Sequence, residues 1–330
     1  MKVVITGGGG FLGNQLARQL IKRGELTTPS GEIEAIDDIL LFDTVLSDVA
    51  RAGLDEHREI TWVTGDIADR DQVFSLIDRD DISVFHFASM VSGECEQRFD
   101  DALRINLDGQ RHLLEACRAR ESTPRMVFTS SIAAFGGEVM PETVSDDTKR
   151  TPLTTYGMTK TISELLINDY TRKRFIDGRS ARLPTIIIRP GKPNTAASSF
   201  ASGVLREPLA GQTCELPVDR SQLMPVLGYR DVIDSFVALH EASPDALSDD
   251  RAYGLPSIQL SVSEMIATLE EVAASRNIVL GPIIDKPDPV IRRIVATWPT
   301  ATDGKRALDI GVPEPSTLIQ IIDAYIDDFM

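Results

Sequence analysis

Cysteine and histidine are scarce in this chain. Its three cysteines among 330 residues, Cys95, Cys117 and Cys214, are scattered and odd in number, so they make neither a disulfide framework nor a zinc motif. The four histidines, His57, His86, His112 and His240, lie far apart, and no metal site is expected. Basic residues are outnumbered, 34 Lys and Arg against 50 Asp and Glu, for a net charge of −16. That balance opposes non-specific nucleic-acid binding and offers no basic patch to an anionic membrane. It does not oppose an anionic substrate, because a few local Arg or Lys outweigh the global field. No apolar run reaches the length of a membrane span, and no repeat or low-complexity segment is present. The first motif begins at residue 3, so no signal or transit peptide is expected ahead of it, and a reducing cytoplasm is the expected location.

What the chain has is a glycine turn at its start. Val3, Val4 and Ile5 read as a short buried strand, followed by Gly7, Gly10 and Gly13 at intervals of three. Leu12, Leu16 and Leu20 then mark one stripe of a helix that stops near Gly24. Strand, glycine turn and helix form the context of a dinucleotide site. One glycine makes the turn, one lets backbone approach a pyrophosphate, one lets helix pack on strand, and the helix N-terminus faces the negative charge.

Further strands are expected at residues 39–42, 60–64, 84–87, 126–129 and 184–188, with a polar, enlarged loop over 25–38. Asp43 directly follows the second strand, where a carboxylate accepts ribose hydroxyls and repels a 2′-phosphate; Asp37 and Asp38 are rivals for that role. Asp66 follows the third strand and is positioned either to meet an adenine amino group or to cap the helix that begins near Asp69. Small residues at Ala88 and Ser89, after the fourth, would let a cofactor pass. A long helix spans 99–119 with Asn106 inside it. Strand and helix alternate without a hairpin signal, which implies a parallel, doubly wound α/β sheet with its ligands at the carboxyl ends of the strands.

After the fifth strand come Ser130 and Ser131, and 25 positions beyond Ser131 comes Tyr156, with Lys160 four residues later. Tyr and Lys at that spacing share one helix face. An ammonium beside the phenol is expected to lower its pKa, making Tyr156 a general base for an alcohol whose carbon gives up hydride. Lys160 can also hold a ribose hydroxyl, and the Ser131 hydroxyl can orient the reacting oxygen.

Together, Gly7, Gly10, Gly13, Asp66, the Ser131 segment and Tyr156 with Lys160 resemble the extended short-chain dehydrogenase/reductase superfamily over nearly the whole chain. The resemblance implies a Rossmann-type sheet that binds NAD or NADP, with Ser131, Tyr156 and Lys160 catalytic. Asp43 directs the expectation to NAD. The expected cofactor contacts are Gly7, Gly10, Phe11, Leu12, Gly13, Asp43, Asp66, Ile67, Ala88, Asn106, Tyr156, Lys160 and Pro190. A narrower resemblance lies in Val91-Ser92-Gly93-Glu94, Arg189-Pro190-Gly191-Lys192-Pro193-Asn194 and residues 197–203, which are similar to the D-erythronate dehydrogenases. That family implies oxidation of the C2 hydroxyl of a four-carbon sugar acid. Lys192, Asn194 and Ser198, with Ser92 and Ser131, are the expected substrate contacts. Nucleotide-sugar epimerases use the same Ser-Tyr-Lys set and are the first alternative; a non-catalytic NAD-sensing regulator is the second.

Beyond residue 191 the strand–helix rhythm breaks. Asp231 is expected to cap a helix returning to the main sheet, Ser261 and Glu264 form a capping box, and the last helix carries Leu318, Ile322, Tyr325, Ile326 and Phe329. The expected division is a cofactor domain over 1–190 with 228–245 returning to it, and a small discontinuous substrate lid over 191–227 and 246–330. Arg292, Arg293 and Trp298 are candidates to close over a substrate. The helices at 99–119 and 155–175 are candidate faces for a homodimer.

Overall fold

A computed structural model describes residues 1–191 and 196–330. Lys192 and Asn194 therefore lie outside the described residues. Seven parallel strands form the main sheet: β1 (Lys2–Thr6), β2 (Asp38–Asp43), β3 (Ile60–Thr64), β4 (Ile82–His86), β5 (Arg125–Ser131), β6 (Asp177–Leu183) and β7 (Ala252–Gly254), in the order β7-β6-β5-β4-β1-β2-β3. The chain runs outward from β1 to β3 and then crosses back to β4. The carboxyl ends of β1 and β4 thus frame the crevice where such sheets bind ligands.

The period of two along each strand fills both faces. Val3, Ile5, Ile39 and Leu41 pack with helix α1 (Phe11–Arg23) on one side. Val4, Leu40, Val84 and Met126 pack on the other with Leu113 and Leu114 of α2 (Gly109–Arg118) and Ile167 of α3 (Thr155–Arg172). A second body carries its own core, built by α4 (Ser199–Leu209), α6 (Val262–Ser275) and α7 (Leu318–Phe329) over a small sheet of Thr185–Ile187, Leu223–Gly228 and Ile258–Ser261. Helix α5 (Tyr229–Glu241) lies between them in sequence and packs Val232 and Phe236 into the core of the main sheet. The Ser261–Glu264 capping box is present, and no helix among the described residues is long and apolar enough to cross a membrane.

Several sequence expectations need correction. Residues 184–188 do not supply the sixth strand of the main sheet. That strand is β6, and Thr185–Ile187 instead pairs with Leu223–Gly228 in the small sheet. Arg179 and Arg182, each 0 % exposed, hide β6 from a reading that follows apolar runs. The 25–38 segment contains a hairpin, Glu25–Thr27 against Ile33–Ala35, whose strands are too short to register as alternation. Asp231 does not cap α5; Gly228 is its N-cap, and the Asp231 carboxylate accepts from the Ser316 backbone and hydroxyl. Nor is 246–330 all lid. Strand β7 joins the main sheet, and Ala307 and Val312 share the core of α1 and α5.

The charges that disguised β6 are satisfied internally. Arg182 donates to both Glu164 oxygens at 2.9 Å and to Asp146 at 2.8 Å. Glu164 also accepts from Arg150, and Asp146 from Arg306 and the Gly254 amide. Glu164 lies on α3, one turn beyond Lys160, so this network ties the helix to β6 and to the C-terminal region. Removing one member of a buried pair leaves the others unpaired, at a cost of about 3–5 kcal/mol. Arg182→Met is expected to lower the unfolding free energy in urea by that order; a change within about 0.5 kcal/mol, as for an ordinary surface substitution, would contradict the network's role.

Candidate active site

The turn after β1 is built around close backbone approaches. A Cβ at Gly13 would lie 2.4 Å from the Gly7 carbonyl oxygen, so only glycine lets α1 start here. Gly10 is the N-cap of α1 and offers no side-chain cap, and no acidic residue occupies the first turn. The first amides of a 13-residue helix therefore face the crevice without an internal anion. The Asp43 carboxylate accepts from the Gly9 amide at 3.1 Å, which ties the end of β2 to the turn. Asp37 and Asp38 sit at the opposite end of β2, paired with Arg79 and Lys2, so of the three it is Asp43 that reaches the crevice. Asp66 lies beyond β3, its carboxylate accepting from the Ala68 amide at 2.9 Å and from Arg104 at 2.6 Å. Burial alone would raise the Asp66 pKa; those two donors outweigh it and hold it below the usual carboxylate value. Asp66 does not cap the next helix; Asp69 caps Arg70–Leu76, accepting from the Asp71 and Gln72 amides.

The second half of the site is carried by α3. Thr154 caps this helix by accepting from the Gly157 amide at 3.0 Å. A Cβ at Gly157 would stand 2.0 Å from the Ala133 carbonyl oxygen. The helix start therefore presses against the segment that follows β5, and that contact brings Tyr156 to Ser131. Both residues line one cavity, and the Ser131 hydroxyl acts to lower the pKa of the phenol. The Ser131 Oγ also accepts from the Ala133 amide at 3.1 Å. One turn on, Lys160 Nζ donates to the Thr129 carbonyl at 2.7 Å and to Ser89 Oγ at 3.3 Å, and lies 5.4 Å from the Tyr156 ring centre.

These groups share one cavity of about 560 Å³, within the usual range for a small-ligand or cofactor site. Gly7, Gly10, Phe11, Leu12, Gly13, Asp43, Asp66, Ile67 and Ala88 line it towards the glycine turn. Ser131, Tyr156, Lys160, Ser92 and Ser198 line it elsewhere. The residues fit a dinucleotide: a glycine cradle that any Cβ would obstruct, free helix amides for a pyrophosphate, and a carboxylate at the end of β2.

Comparison with known proteins bears on which chemistry this is. Residues 3–251 match the family described as NAD dependent epimerase/dehydratase. The chain belongs to that family. It is 43% identical over 328 residues to a D-erythronate dehydrogenase of Cupriavidus necator, covering 99% of this chain and 98% of that protein. It is 37% identical over 331 residues to a protein of the same name from Haemophilus influenzae, covering 99% of each. A solved structure described as a nucleoside-diphosphate-sugar epimerase from Agrobacterium tumefaciens superimposes with a TM-score of 0.90 at 36% identity, over 100% of this chain and 94% of that one. As a family member the protein uses NAD, and it is an NAD-dependent dehydrogenase.

Within this epimerase/dehydratase-family site, three expectations change. Asn106 does not line the cavity. It lies buried in a π-helical turn, Arg104–Asp108, where its side chain accepts from the Met90 amide at 2.8 Å and donates to Thr159 at 3.2 Å. It clamps the segment after β4 to α3 and so positions both halves of the site. Pro190 also falls outside the lining, whereas its neighbour Arg189 is part of it. The third change is electrostatic. Burial pushes the Tyr156 phenol up to about 12, opposed by the Ser131 hydroxyl and the Arg189 charge. Burial pushes Lys160 down to about 7, opposed by Cys95 and by the negative charge of Glu164. The expected lowering of Tyr156 is not a property of the chain alone, because desolvation is the largest influence on both groups.

Residues that the sequence reading left without a role also appear: Arg98, paired with Asp101, and Ile294 from the lid. Trp298 lines the cavity too, while Arg292 is paired with Asp219 and Arg293 is exposed.

The Lys160 shift has a signed consequence. Its folded pKa, about 7, lies below its unfolded value of 10.5. Below about pH 6 the buried charge burdens the folded state in full. Between the two values the folded chain has lost the proton that the unfolded chain keeps, so stability rises with pH by at most about 1.4 kcal/mol per unit. The difference in urea stability between wild type and Lys160→Met should shift in favour of wild type from pH 7 to 9 and stay flat below about pH 6. A difference that does not vary with pH would contradict the assignment.

Proposed function

We propose that the protein oxidises the C2 hydroxyl of D-erythronate to 2-dehydro-D-erythronate, with Tyr156 as general base. The observation that carries this reading is the full-length likeness to two proteins named D-erythronate dehydrogenase in a chain that gathers Ser131, Tyr156 and Lys160 in one cavity. NAD, when bound, supplies the hydride acceptor and, in its oxidised form, a positive charge. Ser131 donates to the reacting oxygen and orients it, and the ionised Tyr156 takes the hydroxyl proton. Lys160, held by Thr129 and Ser89, gains charge near neutrality and biases Tyr156 towards phenolate. Gly7, Gly10 and Gly13 cradle the pyrophosphate. Asp43 accepts the ribose hydroxyls and repels a 2′-phosphate, while Asp66 faces the adenine. Ser92 and Ser198 are suited to the hydroxyls of a sugar acid.

A second reading, nucleotide-sugar epimerisation, is favoured by the likeness to the Agrobacterium tumefaciens structure. It uses the same three residues but returns the hydride, so it releases no net NADH. The two are separated by NADH formation from NAD with D-erythronate, L-threonate, D-threonate and a hexuronate, alongside UDP-glucose. Stoichiometric NADH from D-erythronate is expected, and Tyr156→Phe should cut kcat by about 10²–10⁴-fold with NAD affinity retained. No NADH from any acid, with interconversion of the sugar nucleotide, would move the assignment to the epimerase; full activity in Tyr156→Phe would remove the general base.

A further inference from the structure

Arg189 stands where the small sheet of the lid meets the active site. Its backbone is pinned on both sides by α4: its amide donates to Ser202 Oγ at 3.1 Å, and its carbonyl accepts from Arg206 Nη1 at 2.7 Å. Its side chain lines the cavity with Tyr156, close enough for the guanidinium charge to favour the tyrosinate. Yet that guanidinium has no hydrogen bond or ion pair with any described residue. The other arginines held inside this protein are matched: Arg182 by Glu164 and Asp146, Arg125 and Arg179 by Asp177, and Arg206 by Glu207. The other cations lining the cavity among the described residues are engaged as well, Arg98 by Asp101 and Lys160 by Thr129 and Ser89.

Burial and the neighbouring Arg206 charge both disfavour the charged form of Arg189, and its pKa is lowered. A guanidinium nevertheless keeps its proton in a protein. A half-buried, unmatched guanidinium is unfavourable until an anion meets it, and its planar fork suits a carboxylate. We propose that Arg189 anchors the carboxylate of the substrate and thereby selects which hydroxyl is oxidised. A carboxylate held beside Tyr156 leaves the adjacent carbon, C2, with its hydroxyl at the phenol; C3 and C4 are carried away from it. The diphosphate of a sugar nucleotide epimerised at C4 is separated from the reacting carbon by the sugar ring, which fits an anion site beside Tyr156 poorly. This inference rests on the sugar-acid reading of the site and adds its recognition element.

The test uses the NADH-loaded protein, which binds a hydroxy acid without turning it over. D-erythronate, neutral erythritol and UDP-glucose are titrated calorimetrically into wild type, Arg189→Lys and Arg189→Met, and steady-state kinetics with NAD are run in parallel. Wild type should bind D-erythronate in preference to erythritol. Arg189→Met should weaken D-erythronate by roughly 30-fold or more, from the usual cost of removing one partner of a buried charge pair. That loss should appear chiefly in KM, with NADH and erythritol affinity changed less than about threefold, and Arg189→Lys should recover only part of it. Wild-type D-erythronate affinity and KM in Arg189→Met, in an enzyme that forms NADH, would overturn the inference alone. A wild type that binds no sugar acid and forms no NADH would overturn the sugar-acid reading with it. UDP-glucose affinity that falls in Arg189→Met would reassign the guanidinium to a phosphate.

Discussion

The active site depends on one backbone contact, that of Gly157 with the Ala133 carbonyl. A Cβ at Gly157 would sit 2.0 Å from that oxygen, so any other residue would push α3 away from the end of β5. Because the helix lies that close, Tyr156 meets Ser131, and Lys160, one turn on, meets the last carbonyls of β5. Asn106 holds the same helix from the other side, through Thr159, and fixes the segment after β4 to it. The geometry of three side chains is thus set by helix docking, with little left to loop conformation.

Burial then decides the electrostatics. Tyr156 and Lys160 are so enclosed that desolvation dominates both, leaving the phenol protonated and the amine half-charged near neutrality. A site in this state would gain from the positive charge that oxidised NAD supplies when bound, which would favour phenolate. The charge of Arg189, unpaired among the described residues, acts in the same direction and, on the reading proposed above, is matched by the substrate itself. Behind the site, Glu164 exerts a negative charge on Lys160 while its oxygens are held by Arg182 and Arg150. One carboxylate therefore serves both the packing of α3 and the tuning of its lysine.

Much of this was legible in the sequence where the signal is local. The glycine turn, the Tyr156–Lys160 spacing, the Ser261 capping box and Asp43 at a strand end each depend on residues within a few positions of one another. Signals spread across the chain were hidden. Arg179 and Arg182 made β6 look unlike a buried strand, because their partners are distant in sequence. Asn106 resembled a cofactor contact, and only its neighbours in space, Met90 and Thr159, reveal a clamp. Arg189 carried no role in the sequence, since the lack of a partner for its guanidinium among the described residues shows only in space. Strand β7, three residues long, carries no periodicity at all.

The central claim is that hydride leaves C2 of a sugar acid whose carboxylate is held beside Tyr156. It is tested most directly by following deuterium from D-erythronate labelled at C2 or, separately, at C3 into the reduced nicotinamide by mass spectrometry. The account predicts label in the cofactor from the C2-labelled acid and none from the C3-labelled one. Transfer from C3, or NADH that carries label from neither position, would contradict it.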